Sequence, residues 1–205
     1  MKISWLDNLR VNATIGVILI HASATILFRF TKVPADHWWI ANLYNGGYRY
    51  VVPIFVMLSG ALLLPREEPI GPFLKKSFQR IVMPFLFYNL IFTIFNWQVR
   101  LRGKSFGLSD GLTWLGEQYF NGASYHFWYI YMIIGIYLFI PIIGRWIRSA
   151  PESHIQYFLG VWGLTILFNN PHFPYLKLPV ALTDFTGYVG YLVLGYYLST
   201  KEFSA

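Results

Sequence analysis

The sequence predicts an all-α protein whose helices cross a membrane, and three observations predict it. Apolar residues make up 56% of the 205-residue chain and charged residues only 12%, with a mean hydropathy of +0.45. Soluble domains run near a quarter charged. The apolar residues fall into separate runs, most of them near the roughly 20 residues that a helix needs to cross a hydrocarbon core of about 30 Å. Aromatic residues reach 20%, and many Trp and Tyr stand close to the ends of those runs. Such rings suit the membrane–water boundary.

Six runs are read in order, predicting a polytopic bundle of about six spans within one domain, residues 1–205. They extend from about Leu6 to Phe28, Tyr48 to Leu64, Ile81 to Val99, Phe127 to Ile147, Ile155 to Phe168 and Leu182 to Leu198. The fifth is short, and its ends and those of the sixth depend on tilt. Pro53, Pro84 and Pro141 lie within or beside runs, where neighbouring helices can re-satisfy a freed carbonyl. The stretch from Arg100 to Tyr125 mixes glycine, serine and charge, so a partly ordered surface loop is expected there. There is no internal repeat and no low-complexity tract. The first run lacks a small-residue cleavage site and continues too long for a signal peptide.

Composition removes several function classes. With no cysteine, disulfides, thiolate nucleophiles and cysteine-bound metals are excluded. No pair of histidines or carboxylates has convincing metal-ligand spacing, so no metal is expected. The formal charge of +7 does not imply nucleic acid, because the cations sit in short loops between apolar runs and suit lipid headgroups. Placing the N-terminus inside puts nine of the sixteen Lys and Arg on the inner side, a small majority in its favour.

The first run reads WLDNLRVNATIGVILIHASATILF. Arg10 and His21 are eleven residues apart. Eleven helical steps of about 100° return to within about 20° of the same face, roughly 16 Å along the axis. Asp7, Thr14 and Thr25 lie near that stripe, and Asp7 stands at the i,i+3 position to pair with Arg10. Ionisable groups deep in a membrane are costly and face a bundle interior or a cavity. Histidine exchanges a proton near neutral pH, as a hydroxyl requires when it attacks a thioester. The plainer reading of His21 is a hydrogen bond to a neighbouring helix.

At these residues the chain resembles the acyltransferase-3 family of bacterial inner-membrane proteins. LDNLR followed by His21 looks like the family's opening helix, PIFVMLSGALLL (53–64) like its second-helix block, FLKKSFQRIVMP (73–84) like the basic loop before its third helix, and YHFWYIY (125–131) like the start of its fourth. The layout is similar to the enterobacterial common antigen O-acetyltransferase type. The resemblance implies transfer of an acyl group, with acetyl-CoA as donor, to a hydroxyl of a cell-surface glycan or other carbohydrate acceptor at the bacterial inner membrane. Family members carry more membrane helices than the six read here, so this chain is expected to be the N-terminal part, completed by further helices or by oligomerisation. Arg80 matches the second of two basic positions common in the family's loop, and Ser77 occupies the first.

Carried onto this sequence, the resemblance makes His21 the general base, with Arg10 and Asp7 beside it on the donor path. Lys75, Lys76 and Arg80 would hold the coenzyme A phosphates; their other reading is positive-inside anchoring. His126 opens an aromatic run and is read either as an acceptor-binding or proton-shuttling group or as an interface residue. Asp184 is read as an acceptor-binding carboxylate or as a helix cap. Ser59-Gly60 is read as a place of close helix packing. Arg49 is read as snorkelling to the interface. Two other classes remain open on sequence grounds: a transporter with Arg10, His21 and Asp184 along its path, and a noncatalytic membrane subunit.

Overall fold

The computed structural model describes residues 4–100, 108–168 and 187–201, and among these residues every regular element is helical. In chain order the helices are α1 (Ser4–Leu27), α2 (Ala35–Gly47), α3 (Val51–Leu63), α4 (Ile70–Ser77), α5 (Met83–Arg100), α6 (Leu108–Asn121), α7 (Trp128–Ser149), α8 (Glu152–Phe168) and α9 (Val189–Thr200). A π-helical turn, Phe78–Val82, joins α4 to α5, and a 3-10 turn, Tyr125–Phe127, leads into α7.

Among the described residues, four stretches are long and apolar enough to cross a membrane: Trp5–Leu27, Ala35–Leu63, Ile70–Val99 and Trp128–Ser149. The second and third of these begin well before the apolar runs read from the sequence. At 29 and 30 residues, each is about 45 Å long, well over the roughly 30 Å of a hydrocarbon core. Their leading turns were overlooked because His37, Trp38 and Trp39 in one, and Lys75 and Lys76 in the other, interrupt apolarity without interrupting the helix. α8, with 17 residues, matches the short fifth run. For the sixth, residues 182–186 lie outside the described residues, and α9 covers the rest.

The described part of the 100–125 stretch holds a helix, α6, where a surface loop was expected. Its glycines suggested a loop, but Gly111 has a packing reason. A Cβ there would lie 2.9 Å from the Trp97 ring of α5. Trp97 and Trp114 then meet with ring centroids 5.8 Å apart.

The chain forms two compact units, residues 1–66 with 144–205, and residues 67–143. In the first, α2 and α3 follow one another antiparallel to α1, with a turn at residues 48–50 between them. Trp38 Nε1 donates to the Leu27 carbonyl at 3.0 Å, while a Cβ on Gly16 would lie 2.5 Å from Val51 Cγ1. α9 packs antiparallel on α3 at glycine distance. A Cβ on Gly60 would lie 1.9 Å from the Leu192 carbonyl oxygen, and one on Gly195 2.0 Å from that of Met57. Close approach through small residues is how membrane helices gain contact without a hydrophobic driving force. Arg148 closes the end of α3, its Nη1 donating to the carbonyls of Leu64 and Arg66, both at 2.8 Å.

In the second unit Phe85, Ala123 and Phe127 form a small core, with the Phe85 and Phe127 rings edge to face at 5.3 Å. Beside it α5 carries a buried polar ladder of Asn89, Thr93 and Asn96. Asn89 Nδ2 donates to the Tyr119 carbonyl at 2.6 Å, and Asn89 Oδ1 accepts from the Ala123 amide at 2.9 Å. Asn96 Nδ2 donates to the Ala123 carbonyl at 2.6 Å. The ladder thereby fixes the chain reversal between α6 and α7.

Candidate functional site

α1 runs for 24 residues without proline, so Arg10 and His21 do stand on one continuous helix. Its buried seam of Leu6, Ala13, Gly16 and Ala24 faces α2 and α3. The polar stripe lies about 100° round from that seam, one residue step of the helix. Asp7, Arg10, Thr14 and Thr25 are exposed and His21 is half-buried. Among the described residues, the stripe therefore lies on a flank of α1 turned away from α2 and α3.

Arg10 Nη1 donates to Asp7 Oδ1 at 3.4 Å, as the i,i+3 spacing predicts. Both side chains stay about half exposed, at 48% and 53%. Thr14 and Thr25 turn their hydroxyls back to the helix, to the carbonyls of Arg10 at 2.8 Å and Ala22 at 3.0 Å. Such self-satisfied threonines are what a helix in lipid carries without functional cause. Arg10, Asp7 and His21 are the ionisable groups of the stripe.

Around the turn that carries His21, the structure adds residues that the sequence reading did not assign to the site. Ser23 is buried, and its Oγ donates to the carbonyls of Leu19 at 2.8 Å and Ile20 at 3.1 Å. Asn45 of α2, only 6% exposed, donates from Nδ2 to the Ile20 carbonyl at 3.3 Å. Its Oδ1 accepts from Arg49 Nη2, also at 3.3 Å. The available signal was Arg49 itself, a cation at the start of the second apolar run, but the partner that binds it is visible only in three dimensions.

The basic residues belong to the second unit. α4 is amphipathic, with Phe73 buried and Lys75 and Lys76 exposed. Lys76 is ion-paired with Glu68, which leaves Lys75 and Arg80 as the more available cations. Lys75 edges an apolar cleft of about 370 Å³ whose walls include Leu74, Phe78, Ile81, Tyr137 and Leu138. The π-helical turn that follows carries Arg80 on its exposed side.

His126 lies just past the chain reversal held by the asparagine ladder. Ser124 Oγ stands 2.8 Å from His126 Nδ1, and the imidazole meets the Phe92 ring edge to face at 5.4 Å. The ring is thus oriented by a hydroxyl and a phenyl, a defined pose for a group of either role. Asp184 lies outside the described residues.

A chain that is helical throughout its described residues, with four stretches among them able to cross a membrane and an arginine and a histidine on one face of the first, is a membrane protein with ionisable groups in its first candidate span. Residues 3–204 match the family model of the acyltransferase-3 domain, and the chain belongs to that acyltransferase family. It is a membrane acyltransferase. No curated protein and no solved structure matched the chain.

Proposed function

We propose that this acyltransferase moves an acetyl group from acetyl-CoA to a hydroxyl of a cell-surface glycan or glycolipid, in the manner of the enterobacterial common antigen O-acetyltransferase type. The observation that carries the reading is the shared open face of Arg10 and His21 on an unbroken α1. His21 takes the proton of the acceptor hydroxyl as that oxygen attacks the thioester carbonyl, then returns it to the departing thiolate. Arg10, steadied by Asp7, balances charge along the donor path. Lys75, Lys76 and Arg80 bind coenzyme A phosphates, and His126 and Asp184 contact the acceptor. The chain acts as one domain of the bacterial inner membrane, its N-terminus inside. α8 and α9 complete six crossings, and further helices or a second copy complete the bundle.

Membranes containing the protein, extended to its full gene, would be supplied with labelled acetyl-CoA and native lipids. Label is expected in the glycan or lipid fraction, and His21→Ala is expected to lower transfer by about 100-fold or more. Equal transfer by His21→Ala would remove the base from this histidine. No CoA-dependent label from the wild type, over a range of acyl donors, would overturn the reading.

A further inference from the structure

Arg49 was read from the sequence as an interface residue, and its place in the fold argues otherwise. α2 and α3 form a single candidate span, Ala35–Leu63, and Arg49 stands at its midpoint, 14 residues from either end. The helix is interrupted at that point. The Arg49 amide bonds to the Gly46 carbonyl at 3.4 Å, and the Val51 amide to the Tyr48 carbonyl at 3.0 Å, tighter turns than an α-helix makes. Irregular backbone at membrane depth is tolerated where it meets protein or lines a cavity.

The guanidinium is exposed, and among the described residues no carboxylate lies within ion-pair distance of it. Its partner is the neutral Asn45. A cation midway along a candidate span, held among the described residues by an amide and by no carboxylate, is costly in a poorly polarisable setting, and such residues mark functional paths. Asn45 places this charge. Its oxygen holds Arg49, and its nitrogen holds the carbonyl of Ile20, the residue before His21. One side-chain amide therefore separates the guanidinium from the turn that carries the histidine.

We propose that Arg49 is a catalytic residue of the acyl transfer, binding the oxyanion that forms on the thioester carbonyl, and that Asn45 is the positioning residue that holds it there. The inference rests on the acyl-transfer reading above. As the acceptor oxygen bonds to the carbonyl carbon, its proton passes to His21 and the carbonyl π pair moves onto the carbonyl oxygen. Arg49 donates N–H bonds to that oxygen. The pair then returns, the carbon–sulfur bond breaks, and the thiolate leaves with the proton from His21. Charge present only in the transition state is where a fixed donor in a water-poor site acts most strongly.

The test uses the full chain in membranes with labelled acetyl-CoA, comparing wild type, Arg49→Gln, Arg49→Ala and Asn45→Ala. Arg49→Gln is expected to lower kcat by about 100- to 1,000-fold, with KM for acetyl-CoA changed by no more than a few-fold. Added guanidinium is expected to restore part of the turnover of Arg49→Ala, which a merely structural role would not allow. Turnover of Arg49→Gln near the wild-type value, or a loss confined to KM, would overturn the proposal. If the Arg49 variants do not fold, Asn45→Ala reads the same point. A lower kcat at unchanged KM supports it, and an unchanged kcat overturns it. A wild type without transfer overturns the acyl-transfer reading itself, a pattern distinct from all of these.

Discussion

Glu152 stands at the head of α8 and meets the end of α9. Its Oε1 accepts from Gln156 Nε2 at 3.0 Å and Tyr197 OH at 3.1 Å, and it is ion-paired with Lys201. The hydrogen bond from Lys201, then that from Tyr197, hold the Glu152 carboxyl below its ordinary range, while the bond to Glu152 raises the Lys201 ammonium. A carboxyl depressed in the folded state contributes stability above its unfolded pKa of about 4.3, and that contribution fades as pH falls through the folded value. Lys201 works in the opposite sense. Its contribution is complete below its unfolded pKa and is lost as pH rises through the raised folded one. Glu152→Gln is therefore expected to lower the Tm of the purified protein at neutral pH by a small amount, with the two curves converging in acid. An offset independent of pH between about 3 and 7 would show that the carboxylate charge is not what binds these ends. Side chains of this kind mark the limit of sequence reading. The Asp7–Arg10 pair was legible because it lies within one helical turn. Glu152 with Lys201, Asn45 with the Ile20 carbonyl, and Asn89 with the Ala123 amide join positions 25 to 49 residues apart, and nothing local announces them.

Between elements, the contact of α3 with α9 is the tightest in the first unit. Gly60 and Gly195 each lie against a carbonyl of the other helix, so neither admits a methyl group without separating two backbones. Gly60→Ala and Gly195→Ala are each expected to destabilise the protein by about 1–3 kcal/mol, the ordinary cost of overpacking, with larger side chains doing more. Thermal unfolding in detergent measures this, with Gly46→Ala as the control because nothing lies within 4 Å of a Cβ there. Equal Tm values for the three variants would contradict the close approach. Ser59-Gly60 was read from the sequence as a packing site, and the geometry agrees. Its partner Gly195 was not identified, since a glycine in an apolar run gives no sign of which helix it faces. The same ambiguity hid α6, where Gly111 packs against Trp97 yet was read as loop chemistry. Long apolar runs such as α1 and α7 were legible because composition alone specifies them in a membrane. Element ends were not, since aromatic and polar turns such as Ala35–Trp39 extend a helix without an apolar signal.

For the molecule as a whole, the direction in which the first unit faces decides whether its site can work as proposed. Trp5 and Leu9 of α1 line one cleft of about 180 Å³ with Leu198 and Ser199 of α9, so the start of α1 and the end of α9 lie at the same end. α1 then carries Arg10 near that end and His21 about 16 Å further along. A cytoplasmic thioester meets Arg10 first only if that end is inside. The chain contains no cysteine, so single cysteines report topology against a silent background. Asn8→Cys and Ser199→Cys are expected to resist an impermeant thiol reagent in intact cells and to react after the membrane is opened, whereas Arg29→Cys, beyond the other end of α1, reacts in intact cells. Reaction of Ser199→Cys together with Arg29→Cys and apart from Asn8→Cys would contradict the side-by-side course of α1 and α9. Reaction of both Asn8→Cys and Ser199→Cys in intact cells, with Arg29→Cys protected, would keep the fold but invert it. Arg10 would then open to the outer side, and the donor could no longer be cytoplasmic acetyl-CoA entering past Arg10. The nine-to-seven division of Lys and Arg favours the first outcome only slightly, because loop charges act on topology through small excesses. The labelling pattern therefore tests the donor side of the mechanism independently of any measurement of transfer.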